Sequence, residues 1–152
     1  MSSIDFNAIA NAVFEELYDA RGQPSELDEG FAEQYFQRLA DYSGEPCTPE
    51  YHKSVLNLLR HSSSPLVDAV IPDEHLKFVA ANIHSDWLIP GSCKIFGNIK
   101  PGAPYQFEVT SAFHFIRVSV YSPHSKWDRA EFLSHFPVNV PHQKGEGKWE
   151  RN

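Results

Sequence analysis

The longest run of β-favouring residues in the chain is Tyr105–Tyr121, YQFEVTSAFHFIRVSVY, and it is the strongest indication of a sheet. At about 3.3 Å per residue it would extend over roughly 56 Å, which is longer than a single strand usually runs. We therefore expect either a bend near Thr110–Ala112 or two strands that are joined there. Apolar residues fall on both faces, which predicts a strand covered on both sides. One face carries Val109, Phe113 and Phe115, and the other carries Ile116, Val118 and Val120.

Two shorter β-compatible runs precede this stretch. They are Lys77–Ile83 and Ser92–Lys100, and the dipeptides Pro90-Gly91 and Pro101-Gly102 bound the second run as turn signals. Short runs separated by turns are typical of antiparallel sheets. The sequence therefore predicts a small, mostly antiparallel sheet built from residues ~75–122.

Helical spacing dominates the regions on either side of this sheet. Residues 4–20 and 25–43 each place apolar side chains three and four positions apart, and a third helix is expected to open at Thr48 with Pro49 in its first turn. Phe132 and Phe136 suggest a final helix over 125–136, followed by a polar, flexible tail over 138–152. The expected fold class is α+β, a single domain over 1–137 with three N-terminal helices in 1–62 and one C-terminal helix on the sheet.

Length and composition fit one soluble globular domain. The chain has 152 residues, 41% of them hydrophobic, and no apolar run approaches the roughly 18–20 residues that a membrane span needs. The N-terminus does not resemble a secretory signal, because it carries Asp5 and no basic residue in its first fourteen positions. Only two cysteines occur, Cys47 and Cys93, and we expect them to be unpaired in a cytoplasmic protein.

Negative charge is concentrated in the first third of the chain. Residues 1–50 hold eleven acidic side chains against two basic ones, a balance of −9, whereas residues 51–152 hold nine acidic and eleven basic, a balance of +2. An acidic field attracts basic partners and repels nucleic acid. The alternative is that these carboxylates only solvate exposed helix faces.

Seven acidic residues lie off the apolar stripes of the first two helices and are therefore expected to face solvent. They are Glu15, Glu16, Asp19, Glu26, Asp28, Glu29 and Glu33. The charge pattern favours a non-catalytic acidic binding protein that engages a basic protein partner. An immunity or antitoxin-type inhibitor of a nuclease toxin would have these properties.

A second hypothesis is a small enzyme that uses histidine and carboxylate chemistry. His84 and Asp86 would share a face if the preceding strand continues, and His114 could approach them from a neighbouring strand. The competing interpretation places His84 and Asp86 in a polar turn, with His114 as a partly buried histidine. A nucleophilic Cys93 was also considered, but a small buried thiol fits the sequence better. No cofactor or metal motif is present, and neither a nucleic acid nor a membrane is expected as a partner.

Overall fold

The computed structural model describes residues 6–24, 29–43, 51–58, 67–80, 87–125, 128–136, 140 and 142–152. Within these ranges two α-helices come first in the chain, and eight strands and one short 3-10 helix follow them. The helices are α1 (Phe6–Ala20) and α2 (Glu29–Ser43). The strands are β1 (His52–Leu58), β2 (Val67–Ile71), β3 (Leu76–Val79), β4 (Trp87–Phe96), β5 (Pro104–Ala112), β6 (Phe115–Tyr121), β7 (Arg129–His135) and β8 (Gln143–Arg151), with the 3-10 helix Pro72–Glu74 between β2 and β3. No described helix has the length and apolar character needed to span a membrane.

The eight strands form one closed antiparallel barrel. Their order around the barrel is β1-β2-β3-β8-β5-β6-β7-β4, and β4 pairs with β1 to close it. The closing register runs from His52 opposite Cys93 to Leu58 opposite Trp87. Closure leaves no unpaired sheet edge, so backbone hydrogen bonds are satisfied around the whole ring.

The long stretch Tyr105–Tyr121 makes the β5–β6 hairpin. The chain reverses at Phe113–His114, directly after the expected bend near Thr110–Ala112, so the two-strand alternative is correct but its turn is displaced. The reversal also changes the faces, because Val109 is opposite Val118 inside the barrel while Phe115 points outward. The expectation that this region is covered on both sides holds for β6, whose first six residues are all buried.

Aromatic side chains fill the barrel interior. They include Trp149, Phe78, Phe107 and Phe132, and all four are at most 1% exposed. Trp149 lies 5.4 Å from Phe78 and 6.4 Å from Phe132 between ring centroids. Space for Phe78 comes from Gly147, where an added Cβ would lie 2.6 Å from its ring. An eight-stranded barrel is just wide enough to be filled in this way.

The two helices pack side by side against the outside of the barrel. Their apolar faces meet outward-pointing residues of β4, β6 and β7, namely Phe96, Phe115 and Leu133. The ring of Phe31 stacks on Phe115 at 5.6 Å, and the ring of Phe6 meets Phe96 edge-on at 6.2 Å. The barrel wall formed by β4, β6 and β7 therefore lies between the aromatic interior and a second core under the helices.

The predicted α+β fold class is wrong, although both helices α1 and α2 are confirmed. The expected third helix is strand β1, in which Ser54 and Leu56 are buried on alternate positions. The expected final helix is strand β7, and the expected flexible tail is strand β8. A spacing of four residues, such as Phe132 to Phe136, is shared by one helix face and one strand face, so it does not distinguish them.

Candidate protein-interaction surface

The acidic surface that the sequence predicts lies on the outer side of the helical pair. Glu15, Glu16, Asp19 and Glu33 are all exposed, while the apolar residues between them are buried. Glu29 begins α2, but its side chain lies outside the described residues, as do Glu26 and Asp28 entirely. We call the four exposed carboxylates Glu15, Glu16, Asp19 and Glu33 the acidic face.

A groove of about 660 Å³ runs between α1 and α2 within the acidic face. Small and apolar residues contribute to its lining, together with charged groups. The lining includes Leu17, Ala20, Gly30, Glu16, Glu33 and Arg38. The groove is open to solvent and combines apolar contact area with carboxylates, which suits the side chains of a protein partner.

Both arginines of the helical module make contacts across the groove. Arg38 donates to the Glu16 carboxylate at 3.0 Å, and Arg21 donates to the Gln34 side-chain oxygen at 3.1 Å. The hydrogen bond from Arg38, reinforced by its charge, lowers the pKa of Glu16. Because Arg38 is already paired with Glu16, it is poorly placed to neutralise the other carboxylates.

The remaining carboxylates of the acidic face have no cationic partner among the described residues. Glu15 and Glu33 make no ion pair there, and Asp19 only accepts a hydrogen bond from Gln23 at 3.4 Å. Exposed carboxylates of one sign on adjacent helices produce a negative local potential. The geometry therefore leaves the charges of Glu15, Asp19 and Glu33 directed toward solvent.

A buried polar strip fixes the orientation of the helices on the barrel. Arg129 donates to the Glu131 carboxylate at 2.8 Å, and the Ser119 hydroxyl donates to the same carboxylate at 2.7 Å. From β6, Arg117 donates to the Tyr35 hydroxyl at 3.4 Å on α2 and also to Asn11 on α1. Burial raises the pKa of Tyr35, so its hydroxyl stays protonated. These contacts hold both helices to the same strands and make the acidic face a preorganised surface.

Only one residue of the enzyme hypothesis, His114, lies within the described structure. His114 is exposed in the turn between β5 and β6, and its carbonyl oxygen accepts a hydrogen bond from the Phe136 backbone at 2.8 Å. His84 and Asp86 lie outside the described residues. In the part of the chain that is described, no group of three or more His, Cys, Asp or Glu side chains could hold a metal ion.

Cys93 is a free thiol that points into the barrel. Burial raises the pKa of this thiol far above its usual range, so it remains neutral and is not an activated nucleophile. Cys47, its expected unpaired counterpart, lies outside the described residues.

Sequence reasoning missed one surface feature beside the acidic face. The ring of Phe113, at the tip of the β5–β6 hairpin, stacks on Tyr18 of α1 with ring centroids 4.7 Å apart. Phe113 is nonetheless 46% exposed. The expected bend lies at Thr110–Ala112, which places Phe113 on a strand face with Val109 and Phe115, whereas the turn falls at Phe113–His114.

Comparisons with known proteins identify no relative. No protein-family model, curated protein or solved structure matches this chain. The functional argument therefore rests on the geometry and charge of the acidic face.

Proposed function

We propose that this protein is a non-catalytic binding protein whose acidic face engages a basic protein partner. The observation that carries this proposal is the exposure of Glu15, Asp19 and Glu33, none of which has a cationic partner among the described residues, while Arg38 is paired with Glu16. A basic surface that docks there would supply the missing counter-charges. Inhibition of a basic nuclease toxin, as by an immunity or antitoxin protein, is one form that this activity would take.

The rigidity of the platform supports the same proposal. Two helices held to a closed barrel by the Arg117 hydrogen bonds and by the contact of Arg129 with the Phe6 ring lose little conformational freedom on binding. Preorganisation of this kind raises affinity by lowering the entropic cost of association. Cytoplasmic location is part of the proposal, and the free thiol of Cys93 supports it, since thiols stay reduced in that compartment.

The decisive experiment measures association rates rather than affinity alone. Partners would be isolated on the immobilised protein, identified by mass spectrometry, purified and tested by surface plasmon resonance over a salt series. The test variant is E15K/D19K, and the matched control is D73K/E146K, which makes the same change in net charge at two exposed positions away from the helices. Glu16 is left intact because it binds Arg38.

Rim charges act mainly on the encounter rate. We therefore expect E15K/D19K to slow association at least about tenfold at low salt, with a smaller effect as the Debye length falls to ~8 Å near physiological ionic strength. D73K/E146K should change the rate far less. Equal association rates for wild type and both variants at every salt concentration would refute the proposal.

A further inference from the structure

The Phe113 ring is a large apolar surface at an exposed hairpin tip. Among the described residues, the exposed large hydrophobic side chains are Phe113, Tyr42 and Leu88. The inner face of the Phe113 ring is stacked on Tyr18 at 4.7 Å and an interplanar angle of 18°, and Tyr18 is itself buried. The ring is therefore held in one orientation while part of it remains open to solvent.

The backbone at this tip is in an unfavourable conformation for its residues. Ala112 and Phe115 pair across a two-residue loop, and Phe113 and His114 have φ angles of 56° and 66°. Such a turn, with two residues in the left-handed region, is normally made by Asn-Gly. A bulky residue at positive φ is an outlier, and strain of this kind is concentrated at functional positions.

Carboxylates of the acidic face lie next to the same aromatic stack. Glu15 is one helical turn before Tyr18 and Asp19 follows it directly, and both are exposed. Residues three positions apart are neighbours on a helix surface. The aromatic stack therefore has the Glu15 carboxylate one helical turn away on α1, and an aromatic ring near a carboxylate is a combination that a guanidinium group contacts well.

Arginine–aromatic contacts also recur inside this protein. The Arg129 guanidinium carbon lies 3.6 Å from the centre of the Phe6 ring, and that of Arg117 lies 5.4 Å from the Phe14 ring. Both contacts join the barrel to the helices. They show that the aromatic rings of α1 accept guanidinium groups in stable packing.

We propose that the Phe113 ring is an anchor for an arginine side chain of the basic partner. The guanidinium would lie against the exposed part of the ring, and Glu15 and Asp19 would pair with it or with a neighbouring cation. This inference rests on the proposed function and adds the chemistry of the partner, an arginine-bearing segment. Lysine would serve less well because its ammonium group is compact and strongly hydrated, whereas the planar guanidinium stacks.

The test uses fluorescein-labelled nona-arginine and nona-lysine peptides and fluorescence anisotropy at two salt concentrations. The central variant is F113G, which removes the ring and suits the positive φ of the turn. The matched control is F113Y, which keeps an aromatic ring. Thermal unfolding of each variant shows that the fold persists, and F113N, another residue tolerated at positive φ, replaces F113G if the glycine variant does not fold.

We expect wild type and F113Y to bind nona-arginine more tightly than nona-lysine. F113G should weaken nona-arginine binding about 3- to 10-fold, in the range measured for cation–π contacts, and leave nona-lysine binding nearly unchanged. Unaltered nona-arginine affinity in folded F113G would overturn the anchor. The arginine anchor would also be overturned if wild type, but not F113G, bound anionic lipid vesicles in preference to both peptides. That result would assign the Phe113 ring to a membrane.

The E15K/D19K variant separates this failure from that of the proposed function. If E15K/D19K weakens binding of both peptides while F113G does not, the acidic face is supported and only the arginine anchor is wrong. If neither peptide binds wild type, or charge reversal leaves both affinities unchanged, the acidic face and the anchor fail together.

Discussion

Replacement of Trp149 by alanine tests the most unexpected feature of the fold, a core residue three positions before the last residue, Asn152. Trp149 is fully buried in the barrel and lies against Phe78 and Phe132. Without its side chain, strand β8 would lose its main anchor to the interior. We expect W149A to be among the most destabilising single substitutions in this protein.

The magnitude follows from the buried area. An aromatic side chain of this kind buries about 150–250 Å². At about 25 cal/mol per Å², its removal costs roughly 4–6 kcal/mol, and measured Trp-to-Ala costs in cores of about 3–5 kcal/mol agree with this range. For a domain of this size, each kcal/mol changes the melting temperature by about 2–4 °C, so W149A should melt roughly 8–24 °C below wild type.

The assay is urea unfolding followed by circular dichroism, with thermal melting as a second measurement. Two variants serve as controls. K148A removes the exposed neighbour on the outer face of β8 and should change the free energy of unfolding by less than about 0.5 kcal/mol. W149F should cost much less than W149A, because a ring remains and the indole N–H that it removes has no hydrogen-bond partner among the described residues. A free energy of unfolding for W149A within about 1 kcal/mol of wild type would refute the inclusion of β8 in the barrel.

Three further predictions concern the interior and the helix–barrel contact. G147A should destabilise by about 1–3 kcal/mol in urea unfolding, because the added Cβ would lie 2.6 Å from both the Phe78 ring and the Val79 carbonyl oxygen; a neutral effect would contradict the close packing there. E131A should lower the free energy of unfolding by about 3–5 kcal/mol, because it takes the carboxylate away from the buried Arg129, and E131Q should lower it less. Equal stability of E131A and wild type would mean that this ion pair does not stabilise the protein. Burial raises the pKa of the Cys93 thiol, so iodoacetamide at pH 8.5 should alkylate it far more slowly in native than in urea-unfolded protein. Peptide mass spectrometry measures the two rates, and rapid alkylation of the native protein would place this thiol outside the core.

The two helices were predictable because each has a complete local signal. In α1, Phe6, Ala10, Val13 and Leu17 repeat at helical spacing and are all buried. The same stripe predicts which carboxylates face solvent, and Glu15, Glu16 and Asp19 are indeed exposed. These properties depend on neighbours one turn apart, so the amino-acid sequence is sufficient to predict them.

The contacts that shape the candidate surface were not predictable in the same way. Arg38 binds Glu16 on the other helix, twenty-two positions earlier in the chain, and Phe113 reaches Tyr18 from a hairpin tip. Neither pair has a spacing that distinguishes it from any other pair of residues. Such contacts depend on how α1 and α2 pack and on where the β5–β6 hairpin meets them.

The amino-acid sequence is sufficient to predict the two helices, the antiparallel pairing of the sheet, and the concentration and exposure of the α1 carboxylates. Closure of the sheet into a barrel, and the inclusion of β1, β7 and β8 in it, depend on tertiary contacts. Closure depends on the pairing of β1 with β4 and of β3 with β8, between segments that are far apart in the chain. Trp149 illustrates the physical reason: in a polar stretch with two glycines it has no local apolar partner, and it becomes a core residue only when Phe78 and Phe132 surround it.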